Sequence, residues 1–414
     1  MPETTTTTSA FQTVTQLAER RTVHRAFQWF HLHEPKLRAW QRQIASIPAP
    51  PFGEAARAAW LAEQFTALGL KDVHIDCAGN ALGSIEGAEA QKDAHRPCTL
   101  VSAHLDTVFA AAAMKRPVED GNRLLGPSVC DNCAGITALL AVAAAMQSAG
   151  LAPAGDILFA GNVGEEGEGN LRGMRYLLTE SPFAARIRSV VVLDGAGTES
   201  IVTQALGSRR FRIAITGPGG HSWADATMPN PILVLANALA EIGRIELPAS
   251  PRTTWSIGHI EGGTAINAIP QRAEARLDTR STDVAELSRL EAAIRDTVKA
   301  SVCAANARAG ERSDSIEYRI EIIGERPAAV LPEGAAILTA LRAVDRHLGI
   351  RSQPRIASTD ANIPLSLGVE AVSISGGGTG GGVHTPQEWF DATGRDLALR
   401  RILLLVLSLA RAEI

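Results

Sequence analysis

The run DILFAGNVGEEGEGN, residues 156–170, decides how this chain is to be read. Its first half is a short apolar stretch behind Asp156, the pattern of a strand buried in a sheet. Its second half sets Glu165, Glu166 and Glu168 among four glycines, with Arg172 the nearby offsetting charge. Two adjacent ionised carboxylates about 4 Å apart repel by roughly 4 kcal/mol at an effective dielectric near 20. Solvent relieves that repulsion in an exposed acidic turn. A bound cation relieves it in a site, and the rest of the chain decides between the two.

Chemically capable residues recur at the same kind of place, just past the end of an apolar run. TLVSAHLD (99–106) ends in His104 and Asp106, and GPSVCDNCAG (126–135) carries Asp131 ahead of a helix. SVVVLDG (189–195) ends in Asp194, and AVSISGGGTGGGVHTP (371–386) leads into His384. Between these runs lie helical patterns such as GITALLAVAAAMQSAG and RGMRYLLTE, and such alternation predicts an α/β fold, a mostly parallel sheet flanked by helices. Ligand sites in open sheets of that kind lie beyond the carboxyl ends of the strands. Asp131 taken alone could simply cap the helix that follows it. Two imidazoles and three carboxylates together form a sensible donor set for two divalent ions, zinc or else cobalt or manganese.

The middle of the chain changes character. RRFRIAITGPG, PILVLANALAEIG, TTWSIGHIEGG, QRAEARLDTRS, DVAELSRLEAAIRDTVKASVCAA and SIEYRIEIIGE read in order as β, α, β, β, α and β, a ferredoxin-like unit inserted at 208–326. The flanking segments, 12–207 and 327–414, form the other domain, and the Thr-rich residues 1–11 read as a disordered tail. At 414 residues, 45% hydrophobic and 20% charged, the chain is a globular protein of two or three units. A net charge of −4 offers no basic footprint for nucleic acid or an anionic membrane. No signal peptide opens the sequence, which predicts a cytoplasmic protein. The apolar run ILLLVLSLA (402–410) is far short of the ~20 residues that span a bilayer and reads as a buried helix.

HLD, GPSVCDNCAG, GEEGEG, LDG and HTPQEW, in this order and with the βαββαβ insert between the last two, resemble the dinuclear zinc metallopeptidase and deacylase family. Its members include peptidase T, carboxypeptidase G, acetylornithine deacetylase, succinyl-diaminopimelate desuccinylase and aminoacylase, and the wording of GEEGEGNLRG and HTPQEW is nearest the peptidase T-like branch. The resemblance implies that His104 and Asp194 complete one metal site and Glu166 and His384 the other, with Asp131 bridging both and preceding a cis peptide bond to Asn132. It implies that Glu165 is the general base and that the insert serves as lid and dimerisation domain. It further implies that His221 in GPGGHSW, Asn267 in TAINAIP and Arg280 in LDTRS meet the substrate. Asp106, two residues beyond His104 on an extended segment, leaves the same face and can accept the far N–H of the imidazole. Glycines 376–378 and 380–382, notably Gly377 and Gly378, are expected to present N–H groups to the substrate carboxylate.

The expected activity is hydrolysis of an amide bond in a di- or tripeptide, with an N-acyl amino acid deacylase as the alternative. Two other readings compete. Cys130 and Cys133 form a C-x-x-C, which could be a redox or structural zinc motif, although no second pair stands at matching spacing. A catalytically dead binder of the same fold would lack the base or a ligand, and every expected position is filled. The partners expected are thus a small peptide or N-acyl amino acid and a second copy of the chain.

Overall fold

The apolar run at 156–162 does form a strand, Asp156–Asn162, and its seven residues are all buried. Beside it on one side lies Cys98–His104, equally buried, and the two run parallel with His104 opposite Asn162. Ile187–Leu193 pairs in parallel with Cys98–His104, and Glu370–Ile374 pairs in parallel with Ile187–Leu193, placing Ile374 opposite Leu193. Antiparallel strands extend this parallel core: Lys71–Ile75 and Ala81–Ile85 on one side, Ser200–Ala205 on the other. Gln353–Ala357 adds a further parallel pairing to Ser200–Ala205. Parallel strands share one carboxyl edge, so the segments leaving His104, Asn162, Leu193 and Ile374 emerge together. The computed structural model that shows this describes residues 3–88, 96–309 and 315–410.

Helices cover the sheet because its strands are apolar on both faces. Cys133–Ala149 is apolar around its circumference and correspondingly buried almost throughout. Its carboxyl end closes on Gly150 at φ 62, a left-handed cap that glycine adopts without steric cost. The run at 402–410 lies within the buried helix Arg395–Leu409, and no helix among the described residues is long and apolar enough to cross a membrane.

Of the tail expected to be disordered over 1–11, residues 1 and 2 lie outside the described residues and the rest belong to a helix at Glu3–Ala18. Tertiary packing accounts for it. Val14, Leu17 and Ala18 are buried, and Arg346 of the helix Ala336–Leu348 lies 4.5 Å over the Phe11 ring. A threonine tract is a poor helix former alone, and neighbours of this kind override the propensity.

The chain divides into two compact units, Met1–Ala205 with Val330–Ile414, and Leu206–Ala329. The second is a four-stranded antiparallel sheet in the order Thr253–Gly262, Arg272–Ser281, Gly207–Thr216, Glu317–Arg326, with helices Pro231–Ile242 and Val284–Ala309. That is the βαββαβ order read from the sequence. Asn230 caps the first helix by accepting the Ile232 N–H at 2.9 Å, and Pro231 supplies a first turn that needs no donor. Phe211, Ile213 and Ile215 meet Leu235, Ile242, Leu290 and Val298 in a core belonging to this unit.

Candidate metal centre

At the shared carboxyl edge the expected donors converge. His104 Nε2 lies 3.1 Å from Asp131 Oδ1 and 3.8 Å from Asp194 Oδ1. His384 Nε2 lies 3.1 Å from Asp131 Oδ2 and 2.9 Å from Glu166 Oε1. The two oxygens of Asp131 thus face two different imidazoles, each of which has a further carboxylate beside it. Three groups each gather ligand atoms within 4.8 Å: His104, Asp131 and Asp194; Asp131, Glu166 and His384; and His104, Glu165 and Glu166. The peptide bond between Asp131 and Asn132 is cis.

Two bonds to Asp106 turn the acidic loop toward this centre. Its Oδ1 accepts the Glu165 N–H at 3.0 Å and its Oδ2 the Glu166 N–H at 2.7 Å. His104 Nδ1 lies 3.1 Å from the Asp106 backbone carbonyl and 3.5 Å from the same carboxylate, so Asp106 orients an imidazole and the backbone of both glutamates. Asn132 performs a similar task for Asp131 and Asp194. Its amide donates to Leu193 O at 2.9 Å and its Oδ1 accepts from Gly195 and Gly135, tying the two segments together. Glu168 is exposed.

The electrostatics fit a cation. Burial alone would pull the His104 imidazolium down, yet hydrogen bonds to Asp106, Asp131 and Asp194 outweigh it and raise the pKa well above the usual value. His384 is pushed up to about 10, first by its bonds to Asp131 and Glu166. Burial would raise Asp131, but the two imidazoles hold it lower than an ordinary carboxylate. A cluster that keeps protons on both imidazoles is one that stabilises positive charge, and a divalent ion on neutral imidazole nitrogens and carboxylate oxygens meets that demand. The residues present therefore fit a borderline N/O metal site.

Several residues that no sequence motif singled out support this edge. Glu388 is fully buried and accepts N–H groups from Ser128, Cys130 and Asp131. Arg57, also fully buried, donates to Ile47 O, Leu105 O and Ser128 Oγ. Asp360 accepts from Asn162 Nδ2 at 2.7 Å, and burial pushes its carboxyl up to about 7. The HTPQEW motif, which contains Glu388, was the available signal, but it did not tell what its acid would touch.

Other expectations fare differently. Gly377 and Gly378 are buried, and the Gly377 N–H donates to Gly197 O at 3.1 Å instead of facing a ligand. This accounts for the Gly377 N–H alone, and the anion-presenting role expected of the loop stays a proposal for its other N–H groups. The glycines are needed for packing, since a Cβ at Gly377 would meet Arg395 O at 2.9 Å and one at Gly378 would meet Asp391 O at 2.4 Å. Cys130 and Cys133 are free buried thiols, and burial pushes Cys130 up to about 12, the opposite of what a reactive or zinc-binding pair needs. His221, exposed in the second unit, accepts the Trp223 N–H on Nδ1 at 3.1 Å, which leaves Nε2 as the N–H of the neutral ring. Asn267 is adjacent, its carbonyl accepting from Ser222 at 3.0 Å. Arg280 is ion-paired to Asp278 at 2.6 Å near the far end of the strand Arg272–Ser281 from them, roughly 25 Å away at about 3.3 Å per residue. The structure therefore joins His221 to Asn267 and separates both from Arg280.

Beside Asp131 and Asp194 opens a cavity of about 300 Å³, lined further by Cys130, Ala196, Thr359, Ser375 and Gly380. The family model described as peptidase family M20/M25/M40 matches residues 100–408. The chain belongs to this family. A probable carboxypeptidase of Aspergillus clavatus is 29% identical over 301 residues, covering 68% of this chain and 63% of that protein. One of Aspergillus fumigatus is 32% identical over 209 residues, covering 45% and 46%. The chain thus spans less than two thirds of the length of these relatives. Among solved structures of the same fold are a tripeptidase of Staphylococcus aureus (TM-score 0.71, 22% identity, covering 92% of this chain and 99% of that one) and a dipeptidase of Saccharomyces cerevisiae (0.70, 15%, 94% and 98%).

Proposed function

We propose that this chain is a dinuclear metal-dependent peptidase that hydrolyses an amide bond in small peptides. The observation that carries the reading is Asp131, with one oxygen 3.1 Å from each of two imidazoles that have Asp194 and Glu166 as further neighbours. In this reading His104 and Asp194 hold one ion, Glu166 and His384 the other, and Asp131 both. Bound divalent ions, zinc by the donor set, would lower the pKa of a water and polarise the scissile carbonyl. Glu165, buried beside His104 and Glu166, takes the water proton on its carboxylate and returns it to the leaving amine nitrogen. Asp106 keeps His104 and the Glu165 backbone in place for that transfer.

The His221 Nε2–H is suited to donate to a developing oxyanion. Its distance from Arg280 supports a homodimer in which the two residues serve a substrate from different copies. The names of the similar proteins, tripeptidase, dipeptidase and probable carboxypeptidase, favour peptides over acyl amino acids. The test is a panel of di- and tripeptides against N-acetyl and N-succinyl amino acids, each with and without chelator. Chelator-sensitive cleavage of the peptides is expected. Cleavage confined to the acyl compounds would make the chain a deacylase.

A further inference from the structure

Glu388 is a buried acid that the proposed reaction does not use. It stands four residues beyond His384, directly before the strand Trp389–Asp391, and is fully buried. Strand and loop meet in register: Trp389 pairs with Leu125, and the Glu388 carbonyl accepts the Gly126 N–H at 2.9 Å. The side chain continues the same grip. Oε2 accepts the Ser128 N–H at 3.0 Å, and Oε1 accepts the N–H groups of Cys130 and Asp131, both at 2.7 Å. Residues 126–131 belong to neither helix nor strand, so their N–H groups have no ladder to satisfy them. A buried carboxylate costs several kcal/mol in lost hydration; burial pushes the Glu388 carboxyl up to about 7, and the three N–H bonds offset part of that cost.

The same loop is held from its other side. Ser128, at φ 66, receives Arg57 on its hydroxyl at 3.2 Å while its N–H goes to Glu388. The Arg57 nitrogen that reaches Ser128 also donates at 2.8 Å to Leu105 O, the carbonyl between His104 and Asp106. A buried anion and a buried cation therefore meet on Ser128, and through them the Asp131 loop is fixed relative to the His104 segment and to the His384 segment.

We propose that Glu388 is a positioning residue for the shared ligand Asp131: by gathering the N–H groups of Ser128, Cys130 and Asp131 it sets that carboxylate with one oxygen toward each imidazole. The inference rests on the two-ion reading given above. Its consequence is specific. Displacing Asp131 loosens both ion positions together, whereas removing Glu166 loosens only the one that Glu166 shares with His384.

The test uses the full-length protein and Zn²⁺ as probe, with affinity and stoichiometry read by competition against a chromophoric chelator, and the visible spectrum of the Co²⁺-loaded protein as a reporter of site geometry. Glu388→Gln keeps the side-chain shape but turns an NH₂ toward one of the N–H groups. It is expected to weaken both zinc ions by roughly 10- to 100-fold, the usual effect of losing a group that orients ligands, to alter the Co²⁺ spectrum, and to lower kcat with little change in KM. Glu166→Gln is expected to weaken one ion only. Glu388→Asp, which keeps the charge and shortens the reach, is a second variant with the same expected loss if the glutamine form does not fold. Variants that melt earlier yet keep wild-type zinc affinity and Co²⁺ spectrum would give Glu388 a merely structural role and overturn the proposal. Wild-type protein that takes up fewer than two zinc ions sinks the two-ion reading and this inference with it; two ions bound unchanged by the Glu388 variants sink this inference alone.

Discussion

Glu165 and Glu166 are chain neighbours proposed for different tasks, and Asp106 holds the backbone of both. Its two oxygens take the two N–H groups, so the backbone is fixed where both carboxylates come within 4.8 Å of each other and of His104. Glu165→Gln should retain zinc stoichiometry while turnover falls by about 10² to 10⁴, the usual contribution of a positioned acid or base; metal analysis beside steady-state kinetics checks it, and undiminished turnover removes Glu165 from the reaction. Asp360 allows a pH test. Burial lifts its carboxyl from the ordinary 3.8 to about 7. A raised carboxyl favours the folded state below its unfolded pKa, and that contribution is lost as pH rises through about 7. Asp360→Asn keeps an acceptor for Asn162 Nδ2 and has no proton to lose. The variant should therefore gain stability relative to wild type between pH 5 and pH 8, measured by urea denaturation of chelator-treated protein, and an unchanged difference would count against the raised pKa. His104, Glu166 and Asp194 were legible because they follow buried apolar strands, and Asp131 and His384 because their motifs stand in order with those. Glu388, Arg57 and Asp360 were not, since their partners lie 257 to 260, 10 to 71 and 198 positions away and nothing in the sequence marks the contact.

Strands and helices followed the apolar periods closely, and departures occurred where a neighbour decides the outcome. The helix at Glu3–Ala18 contradicts its own threonine content because the helix Ala336–Leu348 gives it a surface to pack on. The glycine run after Glu370–Ile374 is a second place where composition alone leaves the outcome open. A flexible, ligand-facing loop and a tightly packed one have the same composition, and only the surroundings of Gly377 and Gly378 tell them apart. This yields a comparison between two left-handed glycines. Gly121 has φ 58 and open space where a Cβ would stand, whereas Gly378 has φ 67 and would bring its Cβ to 2.4 Å from Asp391 O. Gly121→Ala should cost about 1 to 2 kcal/mol, the penalty of a left-handed alanine. Gly378→Ala adds a backbone clash and should cost clearly more in a denaturant titration. Equal losses would mean that the loop relaxes freely and that its packing does not determine its shape.

The donors of the metal centre all belong to the unit formed by residues 1–205 and 330–414, while His221, Asn267 and Arg280 belong to the other. Chelation should therefore act unevenly. Without ions, Asp131, Glu166 and Asp194 are left to repel one another with only the imidazolium charges to offset them. Hydrogen exchange should accelerate around 98–106, 128–135 and 160–170 and stay unchanged in the strands between 207 and 326; uniform acceleration would mean that the centre stabilises the whole chain as one cooperative block. The insertion itself gives the sharper test. Gly207–Thr216 and Glu317–Arg326 are adjacent strands with Ser208 opposite Arg326, so the ends of the second unit lie side by side. On the other unit Leu331 donates to Thr203 O at 2.9 Å, so its cut ends are close as well. Each unit has its own apolar core, and the second is within the size range of independently folding domains. The fragment 206–329 expressed alone should unfold in a single cooperative transition with dispersed amide resonances. The remainder, closed between Ala205 and Val330 by a short glycine-serine linker, should bind zinc with the affinity of the intact chain but cleave peptides poorly, for want of His221, Asn267 and Arg280. Full activity in that shortened protein would show that none of the three residues serves the reaction.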